Sequence, residues 1–386
     1  MSEQARGQES DSSSYTNLEA IFNRPFIYEA QRGVSSASVG GYVEGNTNYF
    51  STDGVSDGFS MELRRFNIFL FAAVHERIKF ISELEFEHGT EEIALETALL
   101  DFEIHPAFVF RMGILLPPIG YFNQNHDSPK WDFIDRPLVS TQVIPSTLSE
   151  MGFGFYGKVP VGRHKITYEL YLTNGLSDGI IENAKNRTFL GAGKSEEMFA
   201  EDNNGTPALS SRFAFSVLDL GEFGVSGYTG IYNTFKMEGE FIDEKRRVSL
   251  LALDCNFNLA KLKFVSETAW VFVQVPDDYG QQFGHRQFGI HLDMIYPIMK
   301  RDFLGWAGVT LNLINRLEYV DYNWDNLEST GTKIYDETYA IVPGLSLRFS
   351  SSTLLRFNYR RQWDRDFLGN PASKTAGIQF GFASYF

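Results

Sequence analysis

Residues 61–88 read MELRRFNIFLFAAVHERIKFISELEFEH, and their periodicity decides the fold class. From Phe66 to Val74 every second residue is apolar (Phe66, Ile68, Leu70, Ala72, Val74), while the opposite face opens with Arg65 and Asn67. After a break near 75–77 the pattern returns, with Phe80, Leu84 and Phe86 set against Lys79, Glu83, Glu85 and Glu87. Successive side chains of an extended strand point to opposite faces. The spacing therefore predicts two strands, each with one apolar and one charged side.

The same alternation continues outward from this stretch. In TALLDFEI (97–104) the residues Ala98, Leu100, Phe102 and Ile104 oppose Thr97, Leu99, Asp101 and Glu103. In STLLRFNYRRQWDR (352–365) Leu355, Phe357, Tyr359 and Trp363 oppose Arg356, Asn358, Arg360 and Gln362. The final segment, AGIQFGFASYF (376–386), sets Ile378, Phe380, Phe382 and Phe386 against Gln379, Gly381, Ala383 and Tyr385. Taken together there are about sixteen such runs, from 37–50 to 375–386, each near the ~9–11 residues of a tilted membrane strand. One run is placed at 225–236, and another ends at 296 before a short connection over 297–304.

The connections carry independent information. Short ones fall near 75–77, 105–107, 159–163, 220–224, 259–260, 297–304 and 350–351. Long ones near 51–59, 117–150, 176–208, 237–246, 276–283, 323–334 and 366–374 alternate with them, with a brief 89–91 in the same parity. Transmembrane barrels have short periplasmic turns and longer extracellular loops. A soluble sandwich also has alternating strands, but it has no reason to sort its loops by parity. Its core would also have to bury the charged faces, whereas a barrel turns them to a wet lumen and its apolar faces to lipid. The predicted fold is all-β: a transmembrane antiparallel β-barrel over residues 37–386, with 117–150, the third extracellular loop, narrowing the pore.

Composition agrees with that class. Of 386 residues 15% are aromatic, with 35 Phe, 18 Tyr and 34 Gly, a mixture that favours strands and tight turns. No stretch approaches the ~20 consecutive apolar residues of a membrane helix. A net charge of -15 argues against a nucleic-acid partner. The single cysteine, Cys255, excludes an intramolecular disulfide and a cysteine-rich zinc site. The polar start MSEQARGQESDSSSYTNLEA lacks the apolar core of a signal peptide, and residues 1–36 read as a flexible periplasmic arm with a short helical turn around Leu18 to Phe22.

The terminal QFGFASYF resembles the assembly signal of bacterial outer-membrane barrels through Gln379, Gly381 and Phe386, with Ser384 departing from it. The segment LLDFEIHPAFVFRMGILLPPIGYFNQNH, followed by DRPLVSTQVIPSTLSEMGFGFYGK, resembles the phosphate-selective porin O and P type family. The matching positions are Arg111, Gly113, Pro118, Gly120, Arg136, Pro137, Pro145, Ser146 and Gly152, within a likeness running from about residue 60 to 175. That resemblance implies a sixteen-stranded outer-membrane barrel, often trimeric, whose third loop enters the pore and some of whose members conduct phosphate along lumen arginines and lysines.

Alternation places Arg65, Arg111, Arg316, Arg348, Arg356 and Arg360 on inward faces, and the loop adds Lys130 and Arg136. These are the candidate pore-lining and selectivity residues, because guanidinium groups attract anions and offer forked donors to carboxylate or phosphate. Inward Glu83, Glu85, Asp101, Asp293 and Glu318 can instead pair with them across strands. The oxygen-rich HDSPKWD and EDNNG (Glu201–Gly205) lack EF-hand spacing and read as solvated turns rather than calcium sites. Ser140, Ser146, His126 and Asp127 are the conceivable hydrolase residues, but there is no GxSxG elbow. The expected function is passive diffusion of small hydrophilic solutes or ions through an outer-membrane porin, without catalysis, metal or cofactor, since diffusion supplies the driving force. The competing expectation is a scaffold whose lumen is closed.

Overall fold

A computed structural model describes residues 16–29 and 37–386. The barrel begins with β1 (Ala37–Thr52), β2 (Phe59–His75), β3 (Ile78–Glu87), β4 (Glu92–His105) and β5 (Phe108–Leu115). Next come β6 (Glu150–Val161), β7 (His164–Thr173), β8 (Ala208–Val217) and β9 (Gly221–Ile231), then a small loop hairpin of β10 (Lys236–Met237) and β11 (Glu240–Phe241). β12 (Arg247–Leu259), β13 (Leu262–Val273), β14 (Arg286–Phe303) and β15 (Trp306–Asp321) continue the wall. β16 (Glu337–Arg348), β17 (Thr353–Arg365) and β18 (Ser373–Tyr385) complete it.

Each wall strand pairs with its sequence neighbours, and β1 pairs with β18 from Tyr42↔Tyr385 to Thr52↔Thr375, so the sixteen-stranded antiparallel sheet closes. The terminal Phe386 helps to seal that seam. Its N–H donates to the Gly41 carbonyl at 3.0 Å, its carbonyl accepts from the Gly41 N–H at 3.2 Å, and its ring stacks on Phe66. Closure leaves no open edge, so every strand can meet its hydrogen bonds within the sheet while the outer surface faces lipid. Leu251, Leu253, Phe380 and Phe382 stand exposed on that outer surface, while Arg356, Asn358 and Arg360 are buried inside.

Two strand boundaries differ from expectation. β9 covers Gly221–Ile231 rather than 225–236; its glycines carry no side chain to reveal a face, and Tyr232 onward belongs to the loop. β14 continues past Pro297 to Phe303, with register shifts between Pro297/Met299 and Arg301/Phe303. Bulges accommodate a residue that cannot donate to the ladder, so what reads as a connection is strand up to the Leu304–Gly305 turn.

The inward face carries apolar surface as well as charge. Near the short turns, Tyr42, Phe69, Phe71, Ile81, Leu99 and Tyr171 form a patch that packs on Ile21, Phe26 and Ile27. Residues 16–29, expected to belong to a flexible arm, therefore lie inside the barrel, with a 3-10 turn at Asn17–Glu19 and a helical turn at Pro25–Glu29. The rest of that expectation, residues 1–15 and 30–36, lies outside the described residues. A second patch on β12 and β13 (Val248, Leu250, Ala252, Ala269, Val271, Val273) packs on the loops 116–149 and 174–207 through Val139, Val143, Ile144, Ile180 and Leu190. Burial of these apolar side chains, about 1.5–3 kcal/mol each, holds both loops against one side of the lumen.

Candidate functional site

The loop 116–149 is irregular because five of the chain's 13 prolines, Pro117, Pro118, Pro129, Pro137 and Pro145, interrupt any regular ladder. Wall side chains satisfy its backbone instead. Glu267 on β13 accepts the N–H groups of Tyr121 at 2.7 Å and Phe122 at 3.0 Å, and the Ser140 hydroxyl at 2.7 Å. Within the loop, Asn123 ties the two ends together: its side chain donates to the Pro117 carbonyl at 2.8 Å and accepts from the Leu148 N–H at 2.8 Å. Gly289 on β14 leaves the space that Val139 and Val143 occupy, since a Cβ there would sit 2.8 Å from Val139 Cγ2.

Several expected pore-lining residues prove to be anchors. Arg111 makes a forked pair with Asp101 at 2.7 and 2.8 Å and stacks on Tyr156. Arg316 does the same with Asp293 at 2.6 and 2.8 Å and donates to the Asp135 carbonyl at 2.7 Å. Arg348 binds Asp132 at 2.8 Å, and Arg356 bridges Glu44 at 3.0 Å and the Phe133 carbonyl at 2.7 Å. Lys130 is drawn toward the arm, with Asp127 at 3.1 Å and the Ala20 carbonyl at 2.8 Å.

The remaining arginines face open volume. A cavity of about 400 Å³ lies between the loop and β1, β2, β17 and β18, lined by Arg64, Arg65, Arg136, Arg360 and Asp135 with Phe50, Leu138, Thr141, Gln362 and Thr375. Asp135 orients two of the four, with Arg64 at 2.8 Å and Arg360 at 3.4 Å. Burial pushes the Asp135 pKa upward, but Arg64 and Arg360 outweigh it and hold the carboxyl below the usual range. Arg65 is occupied by Glu44 at 2.9 Å and Glu87 at 2.5 Å. Arg136 is the least satisfied: its nearest carboxylates, Glu85 and Glu87, stand 3.6 and 3.9 Å away, and its Nε and one terminal nitrogen have no hydrogen-bond partner among the described residues. A separate void of about 10 Å³ lies beside Phe122, His126 and Trp131.

Strict alternation missed Arg64 because the strand changes phase there. The β1–β2 register shifts at Glu44/Gly45, opposite Arg65 and Leu63, so Arg64 and Arg65 both turn inward. The signal is present in the sequence: Met61 and Leu63 are apolar at odd positions, Phe66 and Ile68 at even ones. A second shift between β3 and β4 turns Glu96 inward beside Thr97, and Ile93/Leu95 against Ala98/Leu100 records the same change of phase. Bulges commonly re-aim side chains next to functional sites.

A second cluster lies toward the turn end. Arg24 of the arm donates to Glu83 at 2.7 Å and to both oxygens of Asp127 at 2.9 and 3.0 Å, above the Phe69 ring. His126 Nε2 lies 2.9 Å from Glu96, and Nδ1 lies 2.9 Å from the Asn123 carbonyl. Burial alone would lower the His126 pKa; Glu96 and Glu83 overcome it and raise it to about 10, which fits a ring with an acceptor at each nitrogen. Glu83, His126 and Asp127 bring potential metal ligands within 4.8 Å, but the Arg24 guanidinium already supplies their positive charge. Ser140 bonds Glu267 while His126 faces Glu96, so the serine and histidine serve different partners. In EDNNG, Asn203 and Asn204 donate to the Tyr232 and Ile231 carbonyls and pin that turn to the end of β9.

The closed barrel, its loop asymmetry and its inserted third loop define a bacterial outer-membrane β-barrel of porin architecture. No family model matches the chain. An uncharacterized protein of Aquifex aeolicus (strain VF5) is 35% identical over 157 residues, which span 39% of this chain and 34% of that relative. Among solved structures, the anion-selective porin from Comamonas acidovorans superposes with a TM-score of 0.57 at 11% identity, over 91% of this chain and 99% of that one. The trimer form of OmpT, an outer-membrane protein of Vibrio cholerae, superposes at 0.52 with 10% identity, over 91% and 100%. At such identities the likeness is one of fold.

Proposed function

We propose that the barrel is a porin that passes small anionic solutes, with the cavity beside Arg64, Arg65, Arg136 and Arg360 as its selective section. The observation that carries this reading is Arg136: its guanidinium lines the cavity, and its nearest carboxylates, Glu85 and Glu87, stand beyond hydrogen-bond distance at 3.6 and 3.9 Å. A planar fork of this kind matches a carboxylate or phosphate oxygen pair, and a low-dielectric wall strengthens the attraction. The lining adds hydroxyl and amide groups from Thr141, Thr375 and Gln362 and apolar contacts from Phe50 and Leu138, which suit a small organic anion as well as an inorganic one. The resemblance of residues 60–175 to phosphate-selective porins belongs to the same proposal, as does association into trimers.

The test is ion current across planar bilayers in a salt gradient, with and without residues 1–36. A reversal potential of anion-selective sign is expected; a cation-selective sign would refute the anionic reading. The competing reading, a scaffold with a closed lumen, has its own observation, since residues 16–29 pack inside the barrel against the wall and against Asp127 of the third loop. Absence of current from the folded barrel in both forms would favour the scaffold.

A further inference from the structure

Conduction asks for continuous water from the loop end to the turn end, and residues 16–29 lie inside the lumen near the turns. They join none of the wall's ladders. Their hold is of another kind: apolar side chains in a lumen patch, and one guanidinium between two carboxylates. Phe26 lies so close to Gly40 that a Cβ on that glycine would fall 2.5 Å from the ring, so the wall is shaped to its occupant. Glu222 on β9 accepts the Asn17 N–H at 3.1 Å, and Lys158 on β6 meets Glu19 at 2.5 Å, which spans the segment across the lumen. Its central contact is with the third loop as well as the wall, because Arg24 binds Asp127 and Glu83 together.

We propose that residues 16–29 are a detachable plug, seated by Arg24 and Phe26, whose release opens the turn end of the pore. The proposal rests on the porin reading. A segment outside the sheet can leave by a local opening while the sixteen-stranded ladder stays intact, because its contacts are not shared with the strands' own hydrogen bonds. Its departure also takes Arg24 from Asp127 and the Ala20 carbonyl from Lys130, so the state of the plug is transmitted to the third loop. Arg24 is a positioning residue here: it sets where the segment sits and touches no solute.

Two full-length variants test this by single-channel conductance in planar bilayers. Arg24→Gln removes the charge that joins Glu83 to Asp127, and a several-fold rise in conductance or open time is expected. Phe26→Cys with Gly40→Cys, on a Cys255→Ser background, places a cross-link at the seat, where the Gly40 Cβ position lies 2.8 Å from the Phe26 Cβ, within reach of disulfide geometry after a small shift. With the cross-link confirmed by mass spectrometry, the oxidised form should conduct several-fold less than the reduced one, reversibly. Equal conductance of the unmodified, Arg24→Gln, oxidised and reduced proteins would overturn the plug and leave the porin standing. No current from any of them would overturn the porin reading and the plug with it.

Discussion

Arg136 and Arg111 show how one residue type takes two roles in this lumen. Arg111 is matched atom for atom by Asp101 and has no exposed donor to spare. Removing one partner of a buried pair typically costs ~3–5 kcal/mol, so Arg111→Ala should unfold at markedly lower denaturant without first changing selectivity. Arg136 has loose partners and open volume in front of it. Arg136→Gln should leave stability within about 1 kcal/mol, the usual range for a weakly paired charge, and lower the anion-to-cation permeability ratio several-fold. His126 supplies a pH test. Its folded pKa of about 10 lies above the unfolded value of 6.5, so its charge stabilises the loop fully below about 6.5, and that contribution is lost as pH rises through about 10. The stability gap between the unmodified chain and His126→Gln, followed by urea unfolding, should close over that window; a gap that stays constant would remove the imidazolium from the account. At this scale the sequence is only partly legible. It marks which residues face inward, but pairing depends on cross-strand register, so Arg136 and Arg316 look alike until their neighbours are in place. Arg64 and Glu96 were readable from the phase change in the apolar positions, a signal hidden by assuming unbroken alternation.

The third loop is held as an element by many wall contacts, and two of them make it testable. Glu267 satisfies two backbone N–H groups and one hydroxyl from opposite arms of the loop. Glu267→Ala would leave those groups without their partner at ~1–3 kcal/mol each, so hydrogen exchange across 120–141 should accelerate while the strands stay protected. Gly289→Val would overlap Val139 and Val143 at a cost of about 1–3 kcal/mol and should move the loop toward the cavity, reducing conductance. Unchanged current in that variant would show that the Val139–Val143 turn does not set the passage. The strands themselves were legible from period two, since each face meets a different surrounding. The arm was not. Its polar start reads as solvated chain, and only the interruption of the polar face by Phe69, Phe71, Ile81 and Leu99 hints that something apolar is received there.

For the whole molecule, the two ends of the barrel are unequal. Long loops gather over one end, short turns ring the other, and residues 16–29 enter at the turns. Net charge of -15 describes the chain as a whole, while the cavity beside the third loop is lined by four arginines and one aspartate. Selectivity follows the field at that cavity more than the total charge. Closure and loop parity were readable in the sequence because they are properties of pattern. The placing of an apolar patch on β12 and β13 and of a charged cavity beside β1, β2, β17 and β18 was not, because it depends on which strands become neighbours. The most direct measurement is the zero-current potential of the barrel in a potassium chloride gradient, for the unmodified chain and for Arg136→Gln. The expected result is an anion-selective potential that falls toward zero in the variant; a cation-selective potential, or one unmoved by the substitution, would contradict the account.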